Sequence, residues 1–201
     1  VSYDDVDQMA AEKALNIGAE SARVSHDFFR ENAAVVAKAA QAIAEAFKKG
    51  NRLFIFGNGG SASDAQHIAA EFVNRFMLER PGLPAIALTT DCSVLTSIGN
   101  DYGFKYIFSR QLKALAQPGD VVWGISTSGV SPNILEALNT ARKLGLTCLA
   151  MTGGKDSQAA LISDIALEVQ SPETPRVQET HIVIGHAICE LVDLMLFEWI
   201  R

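Results

Sequence analysis

Long apolar runs, a basic cluster and a cysteine framework are all missing from this chain. No apolar stretch approaches the roughly 20 residues needed to cross a bilayer, so no membrane span is expected. The 17 Lys and Arg are outnumbered by 23 Asp and Glu, for a formal net charge of −6. Proteins that bind nucleic acid by neutralising phosphates display a basic stripe, and none is visible, so direct DNA or RNA binding is not expected. The three cysteines, Cys92, Cys148 and Cys189, are odd in number and show no CxxC spacing. Neither a disulfide framework nor a thiolate zinc site is indicated. Each is expected to be a small buried hydrophobe in a reducing cytoplasm. The segment Val1–Glu12 is polar and acidic and lacks the pattern of a secretion signal.

The remaining composition is that of a globular protein, with 48% hydrophobic and 20% charged residues. A length of 201 residues suits one domain with a substantial core, here residues 1–201. Its first fifty or so residues read as helical. Ala33–Lys49 carries Val36, Ala39, Ala40, Ile43 and Phe47 at helical spacing and ends on Lys48-Lys49-Gly50. Asp4–Glu20 is a second, less amphipathic helical segment. From residue 52 onward, short apolar runs alternate with helical stretches. The runs are Arg52–Phe56, Ala85–Leu88, Val121–Ile125, Thr147–Met151 and Ile165–Val169; the helices are Ser63–Leu78, Tyr106–Ala116, Asn133–Leu144 and Val177–Trp199. Near-continuous apolar runs fit strands buried on both faces, and the alternation predicts a doubly wound α/β fold with a parallel sheet. Such folds bind ligands outside the carboxyl ends of their strands.

Two turns stand at those ends. Gly57-Asn58-Gly59-Gly60-Ser61-Ala62-Ser63 follows the first strand; its glycines allow close backbone approach, and the helix after it offers free N–H groups to an anion. It has the spacing of neither a P-loop nor a dinucleotide fingerprint. Ser126-Thr127-Ser128-Gly129-Val130-Ser131-Pro132-Asn133 follows the third strand, with four hydroxyls in six residues and a proline suited to the first helical position. Serines at such positions also serve simply as helix caps. Two such turns on one parallel sheet favour phosphate binding.

GNGGSASDAQHIAAEF, ISTSGVSPN and RVQETHIVIGHAICELVD together resemble the sugar isomerase (SIS) family, and within it the phosphoheptose isomerases. ERPGLPAIAL, IGNDYGF and GDVVWGIS extend the likeness from about Phe28 to Leu196. The resemblance implies a five-stranded parallel α/β/α sandwich, a homotetramer and active sites at subunit interfaces. It also implies a sugar phosphate held by Ser61, Ser126, Thr127, Ser128 and Ser131, with Asn58, Gly59 and Gly60 alongside.

An aldose–ketose isomerisation needs a base for a C–H proton and an acid for the neighbouring oxygen. His67 and Glu71 stand at i and i+4, sharing a helix face that Arg75 continues at i+8. Spacing alone is equally consistent with an ordinary surface pair. The resemblance implies that Glu71 is the catalytic base and that His186 is the catalytic histidine of the last helix, whereas His181 is not. It further implies that His67, Glu71, Gln178 and His186 ligate a divalent metal, usually zinc. Gln178 and His186 are about 12 Å apart along an unbroken helix; they lie on a similar side but do not easily meet at one ion from a single straight helix. Either Gln178 precedes the regular helix or different subunits contribute, and an interface site is preferred. Asp101 matches a family position for substrate hydroxyls, although a loop aspartate is also a common turn residue; Asp91 lies near the same edge. In place of the family's aspartate, Pro175 stands three residues before Gln178.

The reading is an isomerase of sedoheptulose 7-phosphate, yielding the manno-heptose 7-phosphate of bacterial surface-polysaccharide synthesis. Its alternative is a non-catalytic SIS protein that binds the replication initiator, because NRF, ERPGLPAIAL and TTD resemble that group closely. Those regulators lack the glutamate and the second histidine, both present here as Glu71 and His186. A sugar-phosphate-sensing domain of a transcription regulator finds no accompanying DNA-binding element.

Overall fold

Buried strands carry side chains alternately to opposite faces, and five short apolar runs use this to build two cores. The computed structural model describes residues 3–198. The strands are β1 (Leu53–Gly57), β2 (Ala85–Ala87), β3 (Val121–Ser126), β4 (Thr147–Gly153) and β5 (Ile165–Val169). They pair in parallel in the order β2-β1-β3-β4-β5. Chain direction across the sheet reverses between β1 and β3, so a crevice opens there at the carboxyl edge.

Leu53, Ile55, Trp123, Ile125, Leu149 and Met151 face one core, shared with α1 (Tyr3–Lys48), α2 (Gly60–Val73) and α7 (Thr174–Asp193). Phe54, Phe56, Val122, Cys148 and Ala150 face the other, covered by α4 (Ser109–Leu115), α5 (Pro132–Lys143) and α6 (Gln158–Leu161). This is the expected doubly wound sandwich.

Several boundaries differ from expectation for local reasons. The two N-terminal segments are one helix of 46 residues, about 69 Å long, because no proline interrupts them. Its buried face begins only at Val24; the turns before it project, with Val6, Met9, Leu15 and Ile17 exposed. α2 stops at Val73, five residues early, where Arg80 takes over its last carbonyls. Cys92–Tyr102 forms a helix, α3, not among the predicted elements; none of its residues is fully buried, and only Leu95 and Ile98 pack partly against the second core. Cys92, expected inside, is exposed, whereas Cys148 and Cys189 are buried. α7 runs on through a π-helical turn, Leu194–Glu198, and the predicted end at Trp199 lies outside the described residues. Contrary to expectation, Thr174–Phe197 is long and apolar enough to cross a membrane by length and composition. Here it serves as a core helix, burying Val177, Ile184, Ile188, Cys189 and Val192 against α1 and α2.

α2 and α7 lie parallel and are fastened at three levels. Gln178 rests on Gly60 at one end; its amide occupies the space that a Cβ on Gly60 would fill. In the middle Gly185 admits Ile68, whose Cδ1 would stand 2.7 Å from an added Cβ. At the far end buried Arg80 donates to Asp193 Oδ1 at 2.8 Å, to Phe72 O at 2.7 Å and to Glu71 O at 2.9 Å. A cation on the last carbonyls suits the negative end of a helix dipole.

Gly185→Ala is expected to destabilise the protein by about 1–3 kcal/mol through overpacking. Combining it with Ile68→Val, which removes Cδ1, should recover part of that loss. Chemical denaturation of the three variants checks this.

Candidate active site

α2 begins directly after β1 on Gly59, whose φ of 55° suits glycine, and it has neither a side-chain cap nor an acidic residue in its first turn. Its opening turn is closed by backbone bonds, Ser61 N to Asn58 O at 3.0 Å and Ala62 N to Gly59 O at 3.0 Å. Gly59 and Gly60 are exposed, and Ser61 is buried beneath them. The positive end of α2 is thus open to an anion.

In the second turn three hydroxyls converge. Ser126 Oγ lies 3.4 Å from Ser128 Oγ and 3.3 Å from Ser131 Oγ, and accepts from Gly129 N at 3.1 Å. Ser131 occupies the N-cap of α5 without making a side-chain cap bond, so its hydroxyl is not committed to capping. The loop after β4 braces this turn: Gly153 N donates to Thr127 O at 3.1 Å and Ala159 N to Gly129 O at 2.9 Å. Across the crevice between β1 and β3, the Asn58 and Asn133 amides hold the two turns together.

Farther along α2, His67 Nε2 meets His186 Nε2 of α7 at 2.8 Å and Glu71 Oε1 at 3.4 Å. Ligand atoms of these three residues lie within 4.8 Å of one another. Donors around a tetrahedral cation at about 2.0–2.1 Å stand about 3.3 Å apart, so small side-chain shifts fit this trio to a divalent metal. Two imidazoles and a carboxylate leave one position open, as in catalytic zinc sites. Phe76 packs its ring 5.4 Å from that of His186, an apolar wall behind the trio. The Glu71 side chain is 23% exposed and that of His67 46%, so the cluster opens to the surface.

The remaining expected residues are distributed differently. Gln178 lies inside α7 and against Gly60, which excludes the alternative that it precedes the regular helix. It stands at the first turn, two helical turns from His186, and does not join the trio within this chain. Arg75 lies beyond the end of α2, exposed and paired with Glu79 at 3.5 Å, so it does not continue the His67–Glu71 face. Asp101 is in α3 rather than a loop, exposed and accepting from Asn100 at 2.8 Å. Asp91 caps α3 by accepting from Val94 N at 2.9 Å. Pro175 sits in the first turn of α7, where its missing N–H leaves no bond unmade.

One residue was overlooked. Asp64 is at i−3 from His67 and i−7 from Glu71, a spacing visible in SASDAQHIAAE. Burial raises its carboxyl above the usual range, with His67 opposing in part. Its Oδ2 is buried without a hydrogen bond. Asp64 therefore places a third ionisable group on the face between the first turn and the trio. The buried thiols belong elsewhere: burial pushes Cys148 up to about 12, and burial with the charges of Glu71 and Asp193 raises Cys189. Neither forms a thiolate near neutrality.

The chain is similar over most of its length to known proteins. The SIS domain family profile matches residues 18–153. A phosphoheptose isomerase of Thermodesulfovibrio yellowstonii is 55% identical over 179 residues, 89% of each chain. One of Aquifex aeolicus is 52% identical over 187 residues, 93% of this chain and 98% of the other. The solved phosphoheptose isomerase of Neisseria gonorrhoeae superposes with a TM-score of 0.86 at 40% identity, covering 92% of this chain and 98% of that one.

His181 separates structural from chemical histidines. It is fully buried, and neither ring nitrogen makes a hydrogen bond. Burial lowers it to about 4, the nearby Thr152 backbone offsetting only part of the effect. Its unfolded value, 6.5, is higher, so the unfolded chain binds the extra proton. The stability His181 confers by staying neutral is full above pH 6.5 and is lost as pH falls through about 4. Relative to a His181→Leu variant, wild type should lose on the order of 3 kcal/mol across that window. Denaturation midpoints of both proteins between pH 7 and pH 4 provide the check; parallel curves would refute it.

Proposed function

Because this chain belongs to the SIS domain family and, within it, to the phosphoheptose isomerases, we propose that it interconverts sedoheptulose 7-phosphate and D-glycero-D-manno-heptose 7-phosphate through an enediol, supplying heptose for lipopolysaccharide precursors. The meeting of His67, Glu71 and His186 across α2 and α7 carries this reading. The two turns serve a binder or an enzyme equally well. The trio includes the glutamate and histidine that the resembling regulators lack, so it speaks for the isomerase.

In this reading the hydroxyls of Ser126, Thr127, Ser128 and Ser131 take the phosphate. Asn58, Gly59, Gly60, Ser61 and Gln178 line the sugar at the head of α2. Arg75 and Asp101 are left to reach substrate only from another subunit, since each lies outside this cluster. Glu71 takes the C1 proton of the ketose while His186 protonates O2, so that a C1=C2 enediol forms. His186 then removes the O1 proton as Glu71 returns a proton to C2, giving the aldose. A divalent cation, zinc in this reading, would be held by His67, Glu71 and His186 and would polarise the substrate oxygens as a Lewis acid. Glu71 has a second carboxylate oxygen for proton transfer, and His186 a second ring nitrogen. A homotetramer with interface sites is supported by the exposed apolar residues of the projecting α1 arm and by the distance of Gln178 from the trio. A cytoplasmic setting is supported by the cysteine usage.

Purified protein incubated with sedoheptulose 7-phosphate should form aldose, and Glu71→Gln and His186→Gln should each lower kcat by about 100-fold or more. A wild type inactive with and without added zinc refutes the isomerase. A fully active Glu71→Gln refutes the assignment of the base.

A further inference from the structure

Asn133 was not among the expected binding residues, yet its amide closes the floor of the crevice. It is the second residue of α5, follows the Ser126–Ser131 turn and is 2% exposed. Asn58 Nδ2 donates to Asn133 Oδ1 at 2.9 Å, and Asn133 Nδ2 donates back to Asn58 Oδ1 at 2.7 Å. Ile134 N donates to the same Asn133 Oδ1 at 3.1 Å, which fixes which end of that amide is oxygen. The result is a closed ring of two hydrogen bonds between side chains 75 residues apart.

The position of this ring gives it a consequence. Asn58 follows β1 and Asn133 follows the turn after β3, and these adjacent strands flank the point where the strand order reverses. The ring is therefore a strut between the two walls of the crevice. On its far side the second turn is held by the β4 loop through Gly153 and Ala159. Without the strut, the second turn keeps that brace but loses its spacing from the head of α2. A buried amide left without its partner also carries an unmet hydrogen bond, which favours rearrangement of the turn.

We propose that Asn133 is a positioning residue whose pairing with Asn58 sets the distance between the two cradles, so that one sugar phosphate engages both. This rests on the binding reading above. Asn133 itself acts through Asn58 and through the turn. Its effect falls on binding rather than on proton transfer, because Glu71 and His186 are carried by α2 and α7, which are fastened to each other independently.

A double-mutant cycle tests the strut. Asn133→Ala, Asn58→Ala and the double variant are compared with wild type for kcat, for KM and for the Kd of inorganic phosphate by calorimetry, with thermal unfolding recorded for each. Asn133→Ala is expected to raise KM and the phosphate Kd about five- to tenfold while kcat changes less than twofold. The double variant should bind no worse than the weaker single variant, because either substitution already breaks the ring. If Asn133→Ala unfolds, Asn133→Ser, which keeps an acceptor for Ile134, replaces it. Unchanged KM and Kd in the Asn133 variant overturn the proposal. So does an additive double variant, or a fall in Tm with binding intact. A wild type that neither binds phosphate nor turns over sugar phosphate overturns the functional reading as well, and is told apart by failing before any substitution is made.

Discussion

The chemistry of this protein depends on two helices being held parallel at a fixed register. α2 and α7 come from opposite ends of the α/β region, and nothing local in either would bring His67 to His186. Three unlike contacts do it: the Gln178 amide against Gly60, Ile68 against the bare face of Gly185, and the Arg80–Asp193 pair. The last is the most costly to disturb. Arg80 is nine-tenths buried and also holds the carbonyls of Glu71 and Phe72. Removing either member of such a pair leaves a buried charge, at about 3–5 kcal/mol. Because Arg80 grips the carbonyl of Glu71 itself, the backbone of the proposed base is tied to the end of α7.

The sheet supplies the other half of the arrangement by simpler means. Residues at the carboxyl end of β1 and β3 are placed by strand register, and all of β1 and β3 is buried on both faces. Such strands have few degrees of freedom left, so the turns that follow them inherit well-defined starting points. The proposed cradles are therefore made by backbone and short hydroxyl side chains, and the proposed reactive groups by long side chains on helices. Loss of the second set would leave the first intact, which is why a sugar-phosphate binder without catalysis is a plausible relative of such an enzyme.

How far the arrangement could be read from the residues follows from the same division. The five strands and both serine turns were visible because continuous apolar runs and clustered Gly and Ser are local signals. His67 with Glu71 was visible as an i,i+4 pair, but its meeting with His186 across 119 residues was not a matter of spacing. Arg75 was placed on the same face because nothing local shows that Arg80 ends α2 at Val73. α3 went unseen because its apolar stripe is short and only half-buried, Val94, Leu95 and Ile98 among small and polar residues. That Gln178 rests on Gly60 depends on the parallel packing of two helices, which no local signal reveals. Asp64 was legible and passed over, since a single aspartate near a helix start is ordinarily a capping residue.

Asp64 adds a half-buried carboxyl to the face of α2 that carries His67 and Glu71. Burial raises that carboxyl, and His67, three residues on and 3.4 Å from Glu71 Oε1, opposes the rise in part. His181, one turn of α7 from His186 and sealed in the core, shows the contrast. The same residue type is kept neutral where burial outweighs the Thr152 backbone, and is joined to a carboxylate and a second imidazole where the helix faces α2. Burial and pairing, not the identity of the side chain, separate the histidine that supports the core from the one that can take part in chemistry.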